Sequence, residues 1–305
     1  MELSGFLRNR RERLQPGDVG LVPGPRRQTP GLRRTEVALL AGISVDYYVR
    51  LEQGRGPRPS EQVLTALGRA LRLTGDEHVY LRRLARPAPA APPCEVPGNV
   101  LRLLDRLDDV PAMVIDACFD MLAWNRMLVA LIGDPAAWPP RRRNRLRRLF
   151  DTGDTITGNR LDLARLCVAD LRAGGRYPAD PAVRSLVDEL REERPEFARL
   201  WAEREVAVQR TLTKRTVHPV AGALELDCEI LAVPGHEHRL LVYTAAPGTP
   251  SAEGLRRLAA DSRTRSDGAR KKIPSVTTTA EDNAQCSPTR VASAPTRTGS
   301  TRNPR

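Results

Sequence analysis

The sequence predicts an all-α domain of five helices, then an α+β domain with a small antiparallel sheet, then a basic C-terminal tail that builds no core. Three observations predict it. Apolar residues recur at helical spacing in five stretches before residue 85. Residues 86–97 read RPAPAAPPCEVP, a composition that favours an extended, semi-rigid linker. Beyond it come two short strand-like runs, several helical stretches and three more strand-like runs, which is an α+β plan. The 305 residues suffice for two domains, with boundaries expected at 1–85, 86–97, 98–260 and 261–305.

Leu3, Phe6 and Leu7 give the first helix, about residues 2–14, one apolar face, with Arg8, Arg10, Arg11 and Arg13 on the remainder. Residues 15–31 hold four Pro and four Gly, so they cannot be helix and are longer than most connections. Arg26 and Arg27 lie in this link and can serve the structure or reach nucleic acid; both readings stay open. Thr29-Pro30 sets the entry into the next helix.

Residues 32–53, LRRTEVALLAGISVDYYVRLEQ, read as two short helices joined by a tight turn. Val37, Ala38 and Leu40 give the first an apolar face, and Gly42 can take the left-handed conformation that stops it. Ser44 is placed to cap the second helix, 45–53. Tyr48 and Leu51 face inward with Ile43, leaving Asp46, Tyr47, Val49 and Arg50 outside. A helix, a Gly-containing turn and a second helix with polar outward residues form the helix-turn-helix pattern. In that motif the start of the second helix enters the DNA major groove. An ordinary helical hairpin shows the same spacing, and charge separates the two readings. Arg33 and Arg34 begin the first helix, and Arg55 and Arg58 follow the second, where phosphates on either side of a groove are within reach. Ser60 can cap a fourth helix, 61–71, and Thr74 a fifth that ends near Leu84.

In the second part, a helix is expected at 99–107, strands at 111–116 and 121–124, and a helix at 126–132 capped by Asn125. RRRNRLRRLF, 141–150, reads as a very basic helix, and a solvated face is favoured over DNA contact. Helices follow at 160–173, 181–191 and 195–206. Leu161, Leu163, Leu166 and Val168 are the apolar positions of the first, and Phe197, Leu200 and Trp201 form a buried stripe on the last. Strands are expected at 208–217, 222–233 and 239–244, the middle one alternating Leu224, Leu226, Cys228, Ile230 with Glu225, Asp227, Glu229. A final helix spans 251–260. From 261 onward there are no aromatic residues, and Ser, Thr, Pro and basic residues dominate, which predicts disorder.

The net charge of +12 is unevenly spread: +6 over 1–85, +1 over 86–260 and +5 over 261–305. A basic N-terminal domain favours a polyanionic partner. Five scattered Cys without a CxxC pair fit a reducing compartment. Neither an apolar run of about 18 residues nor an apolar signal core occurs, so a cytoplasmic, nucleoid-associated protein without a membrane partner is expected.

The segments GFLRNRRERLQPGDVGL, RRQTPGLRRTEVALLAGISVDYYVRLEQGRGPRPS and QVLTALGRALRL resemble the lambda-repressor-like, xenobiotic-response-element type of helix-turn-helix, and 1–85 as a whole resembles its bacterial MmyB-like regulators. PAMVIDACFDMLAWN, LRAGGRYPADP, EFARLWAEREV, HPVAGALELDCEIL and LLVYTAAPG resemble the MmyB-like ligand-binding domain over about 98–258. The resemblance implies a PAS-like fold, an antiparallel sheet cupping a small-molecule pocket. Departures are Thr35, where an acid is usual, Arg194, where Ser is frequent, and Ala221 within HPVAG.

Catalysis is the rival class. No GxSxG, GxxxxGK[ST] or GxGxxG occurs, and the acid pairs Asp108-Asp109 and Glu192-Glu193 are adjacent and point apart. His236-Glu-His238 offers two imidazoles beside Pro234-Gly235 without a third ligand, so a solvated turn is favoured over a metal site, and His218 suits a strand end. Neither metal nor cofactor is expected. The expected function is a sequence-specific DNA-binding transcriptional regulator, acting as a homodimer on an operator in double-stranded DNA. Its second domain would sense a small, apolar effector. The alternatives are a second domain that only dimerises or recruits a protein, and a nucleic-acid-linked enzyme. Arg50 and Asp46 are expected to read bases, Arg34 and Ser44 to hold phosphate, and Arg33, Val45, Tyr47, Arg55 and Arg58 to complete the contact surface. Met113, Trp124, Phe150, Trp201 and Tyr243 are candidates to line a ligand pocket, with plain core packing favoured for each one singly.

Overall fold

The computed structural model describes residues 2–22, 29–86, 95–151 and 159–266. Five α-helices make the N-terminal part: α1 (Glu2–Arg13), α2 (Arg34–Ala41), α3 (Val45–Glu52), α4 (Glu61–Ala70) and α5 (Gly75–Ala85). Phe6, Leu7, Leu32, Val37, Ala38, Tyr48, Leu51, Leu64, Leu67, Tyr80 and Leu81 close their core. The caps are those the sequence announces. Ser60 Oγ accepts from Val63 N at 3.3 Å, and Thr74 and Glu77 form a reciprocal capping box.

Two features of this part depart from expectation. Residues 15–31 contain a short 3-10 helix, Pro16–Val19, since Pro suits the first turn of such a helix; Arg26 and Arg27 lie outside the described residues. Arg10 and Arg11 do not decorate an outer face of α1. They are only 7% and 4% exposed, because buried acids wait for them.

The second part begins with α6 (Gly98–Arg106) and two strands, β1 (Ala112–Ile115) and β2 (Met121–Trp124). Then come α7 (Arg126–Ile132), α8 (Arg145–Phe150), α9 (Arg160–Ala173), α10 (Pro181–Glu193) and α11 (Pro195–Ala202). Strands β3 (Thr211–His218), β4 (Gly222–Ala232) and β5 (Arg239–Thr244) precede α12 (Pro250–Ser266). All pairings are antiparallel, and the sheet order is β2-β1-β5-β4-β3. Period-two alternation assigns the faces of the sheet. Ala112, Val114, Ala123 and Leu240 pack on α6, through Val100 and Leu104. Met113, Ile115, Trp124, Leu226, Cys228, Leu241 and Tyr243 face the core under α7–α12.

Local chemistry explains most of these boundaries. Asn125 Oδ1 accepts from Leu128 N at 2.9 Å and starts α7. The basic stretch expected as one helix over 141–150 is a 3-10 turn, Pro140–Arg143, then α8, split at Asn144. Asn144 is drawn out because its amide donates to Cys118 O and Asp120 Oδ1 while its carbonyl accepts from Arg147 N. On α9, Leu163 and Val168 turn inward as expected, joined by Ala164, Cys167 and Leu171, whereas Leu161 and Leu166 are exposed. The stripe Phe197, Leu200, Trp201 on α11 is buried as its spacing predicts. Ser262 on α12 is buried and donates to Ala259 O, so the last helix runs six residues past 260, into the segment expected to lack structure. Most of the Pro-rich stretch, 87–94, lies outside the described residues, as does 267–305.

Candidate DNA-binding surface and ligand cavity

The helix-turn-helix is built from α2 and α3. Gly42 ends α2 with φ 64°, ψ 34°, a left-handed conformation that costs other residues steric energy. Ser44 Oγ then accepts from Tyr47 N at 3.2 Å and caps α3. Tyr48 and Leu51 are buried under α3, so Ser44, Val45, Asp46 and Arg50 are exposed on its outer side, with Tyr47 half-buried against the domain core. Arg33, Arg55 and Arg58 are exposed and Arg34 is half-buried. Thr35 is exposed on α2, where loss of an acid changes no packing.

Two details refine the expected roles. Arg50 Nη2 lies 2.8 Å from Asp46 Oδ2, an i, i+4 pair that holds the guanidinium along the exposed face. Arg34 is not committed to solvent alone, since its Nε donates to Glu52 Oε2 at 2.6 Å. Glu52 is 2% exposed and is the residue that sequence reasoning missed here. Its Oε1 accepts from Arg11 Nε at 3.0 Å and Arg11 Nη2 at 2.7 Å. Arg11 also donates to Leu32 O at 2.9 Å. One buried carboxylate thus ties the end of α3 to α1 and α2. The signal in the sequence was only a spare acid at the end of an amphipathic helix.

The second domain holds a cavity between the sheet and α7–α9. Met113, Met121, Leu128, Leu131, Ile132, Leu149, Leu163 and Leu212 make its apolar wall, and Arg145, Arg148, Lys214, Cys167 and Tyr243 bring polar atoms to it. Its free volume is about 30 Å³. Arg145 is the notable member, because its Nη1 is buried and has no hydrogen-bond partner among the described residues. A buried guanidinium with an unmade bond is costly unless an acceptor reaches it. Burial pushes the Cys167 thiol up to about 11 and raises Cys228 and Tyr243 above their ordinary values. These groups are therefore neutral at physiological pH, and the thiols are poor nucleophiles.

Of the five sequence-predicted pocket residues, the structure brings Met113 and Tyr243 to the cavity. Phe150 and Trp201 meet instead through Phe197, edge-on at 5.4 Å and stacked at 5.8 Å. Trp124 is fully buried in the same core. Arg145 went unnoticed in sequence because a basic run gives no sign of which member turns inward. His78 lies on α5, and the other three histidines sit at turns or strand ends, with His238 buried at 3% exposure where a solvated turn was expected. His236 and His238 stack at 5.3 Å between β4 and β5, and burial lowers the His238 pKa. His218 Nδ1 accepts from Val220 N and Ala221 N, holding the β3–β4 turn. Among the described residues no group of three metal-ligating side chains forms, and no helix is long and apolar enough to cross a membrane. One acid pair does converge, at the β1–β2 turn. Burial, with Asp120 beside it, pushes Asp116 up to about 7, while the Cys118 and Asp120 amides, which donate to its Oδ1, pull the other way.

Comparison with protein families decides what this pairing is. A family model described as the MmyB-like transcription regulator ligand binding domain matches residues 96–258, more than half of the chain. The chain belongs to the MmyB-like transcription regulators. A helix-turn-helix domain model matches residues 2–81, which covers α1–α4 and most of α5. No curated protein matches the chain. The match over 96–258 places the cavity and Arg145 inside the ligand-binding domain. At the start of α11, Arg194 bonds Asp151 at 2.8 Å, and its side chain does not cap the helix.

Proposed function

We propose that this MmyB-like regulator reads an operator in double-stranded DNA as a homodimer, through α3, and that its second domain senses a small ligand with a mostly apolar body and one anionic group. Arg145 carries the ligand half of this reading. A guanidinium whose buried Nη1 lacks a bond among the described residues, set in a wall of Met, Leu and Ile side chains, selects an acceptor at one end and hydrocarbon at the other. The expectation of a small, mostly apolar effector is sharpened by it. The sheet order β2-β1-β5-β4-β3, with helices over the cavity face, supports the PAS-like reading. The exposed Arg50, Arg55 and Arg58 and the +6 balance of residues 1–85 support DNA contact. A single helix-turn-helix reads few base pairs, and two copies reach half-sites about 34 Å apart.

A second reading, in which the domain only dimerises or recruits a protein, draws support from cavity size. About 30 Å³ holds a water or two, far below the volume of a ligand. Under the sensor reading Met113 and Met121 swing aside, as unbranched thioethers can at modest cost. The two readings separate in a titration of delipidated protein with decanoate and with decanol, followed by affinity for a duplex selected from a random pool. A sensor shows a change in duplex affinity with decanoate, weaker with decanol, and Arg145→Met removes the preference. A tenfold change corresponds to about 1.4 kcal/mol of coupling. Binding of neither compound, or binding without any change in duplex affinity, supports the second reading.

A further inference from the structure

The two domains touch directly, largely through charged side chains. Glu2 at the start of α1 lies 3.3 Å from Arg172 Nη1 on α9 and 3.7 Å from Arg204 Nη1. Arg10 bonds Glu77 in its own domain at 2.9 Å and donates to Arg204 O at 2.9 Å. Arg13 pairs with Glu205. Arg83 on α5 donates to Ala173 O at 2.7 Å. Asp76 accepts from Val208 N at 2.9 Å and from Arg210 Nη2 at 2.8 Å. Ala173 and Val206 are buried within the core of the N-terminal helices. Gly5 permits the approach, since a Cβ there would fall 2.4 Å from the Arg204 guanidinium.

The partners on the sensor side are the continuations of the cavity wall. Leu163 and Cys167 on α9 line the cavity, and Arg172 and Ala173 at the end of the same helix grip α1 and α5. Leu212 and Lys214 on β3 line it too, and residues 205–210, which lead into β3, carry Glu205, Val206, Val208 and Arg210. Gln209 N donates to Asp170 Oδ1 at 3.0 Å, so the two gripping segments are fastened to each other. From Cys167 to Ala173 is about 9 Å along a helix. On its other side α1 holds the end of α3 through Arg11 and Glu52. A continuous run of packed elements therefore joins cavity, α9 and residues 205–210, α1 and α3.

We propose that this α9/205–210 clamp on α1 and α5 is the coupling element of the regulator, so that the state of the cavity wall and the placement of α3 on DNA bias one another across it. The proposal rests on the sensor reading for its physiological input. Coupling between two sites is reciprocal, so DNA must act back on the cavity wall. That consequence needs no ligand to test.

Hydrogen exchange of the full-length protein, resolved by peptide, is measured with and without a duplex selected from a random pool. Four proteins are compared: wild type, Arg13→Glu, Glu205→Arg and the double charge swap. These two side chains are 44% and 36% exposed, so the substitutions spare both cores. In the wild type the duplex changes exchange over 160–173 and 205–212 severalfold. Each single reversal sets like charges face to face and removes that change while duplex binding persists. The double swap restores it. A duplex that binds wild type and leaves 160–173 unchanged overturns the proposal, as do single reversals that keep the full response. A chain that ignores decanoate and still shows the wild-type response refutes the sensor reading and leaves the clamp standing.

Discussion

Arg50 stands in the middle of the exposed face of α3 with Asp46 one turn before it, 2.8 Å away. The pair is more than half exposed on both sides, so it adds little stability by itself. Its effect is to aim the guanidinium, whose fork can bond guanine O6 and N7. Arg50→Ala is expected to relax sequence preference at one position and cost about 1–3 kcal/mol on the preferred duplex. Arg34→Ala is expected to weaken all duplexes alike, with a further loss of stability because Glu52 loses one partner. Anisotropy titrations on a selected and a scrambled duplex check both. Equal losses on the two duplexes for Arg50→Ala count against base reading. At this scale the sequence showed the outward residues of α3 through helical spacing. It did not show that Arg10 and Arg11 turn inward, because a guanidinium is buried only where an acid from a distant segment meets it.

Among the elements, α12 changes an expectation and yields a prediction. Composition places the end of structure at 260, yet the helix continues to Ser266, with Ser262 buried at 8% exposure. Its hydroxyl donates to Ala259 O and its Oγ lies 3.7 Å from Met127 Sδ on α7. Leu255, Leu258 and Ala259 complete the face that covers this edge of the core. Truncation after Ala260 is expected to fray the helix and lower the melting temperature by several degrees, since a change of about 1 kcal/mol moves a domain of this size by roughly 2–4 °C. Truncation after Ser266 should leave it unchanged, as the residues beyond have no aromatic side chain and few large apolar ones. Thermal denaturation of the two truncations distinguishes the boundaries. Local composition misplaced this end because DSRTRS is polar, and only contact with α7 makes one of its serines a buried residue.

For the whole molecule, the N-terminal helices carry their own core and the exposed basic face, while their docking to the second domain adds α1 and α5 contacts. A fragment of residues 1–86 is therefore expected to bind duplex DNA weakly, with affinity that falls steeply as salt rises, because phosphate contacts release counterions. Its melting temperature should lie below that of the full chain, since Glu2, Asp76 and Arg83 lose their partners and Ala173 and Val206 no longer cover the core. Binding assays over a salt series, beside a melting curve, test this. Stronger duplex binding by residues 95–266 than by the fragment contradicts the placement of the DNA surface.

The sequence by itself determined the element order, the helix caps at Ser44, Ser60, Thr74 and Asn125, the turn at Gly42 and the alternation along β4. Each of these rests on interactions within a few residues, which spacing and side-chain type encode directly. Only the tertiary structure decided which cations are buried, that Asn144 divides the basic stretch, that Arg145 faces a cavity, and that α9 joins this cavity to α1. Those depend on partners 24 to 170 residues away, for which one chain's local pattern carries no signal.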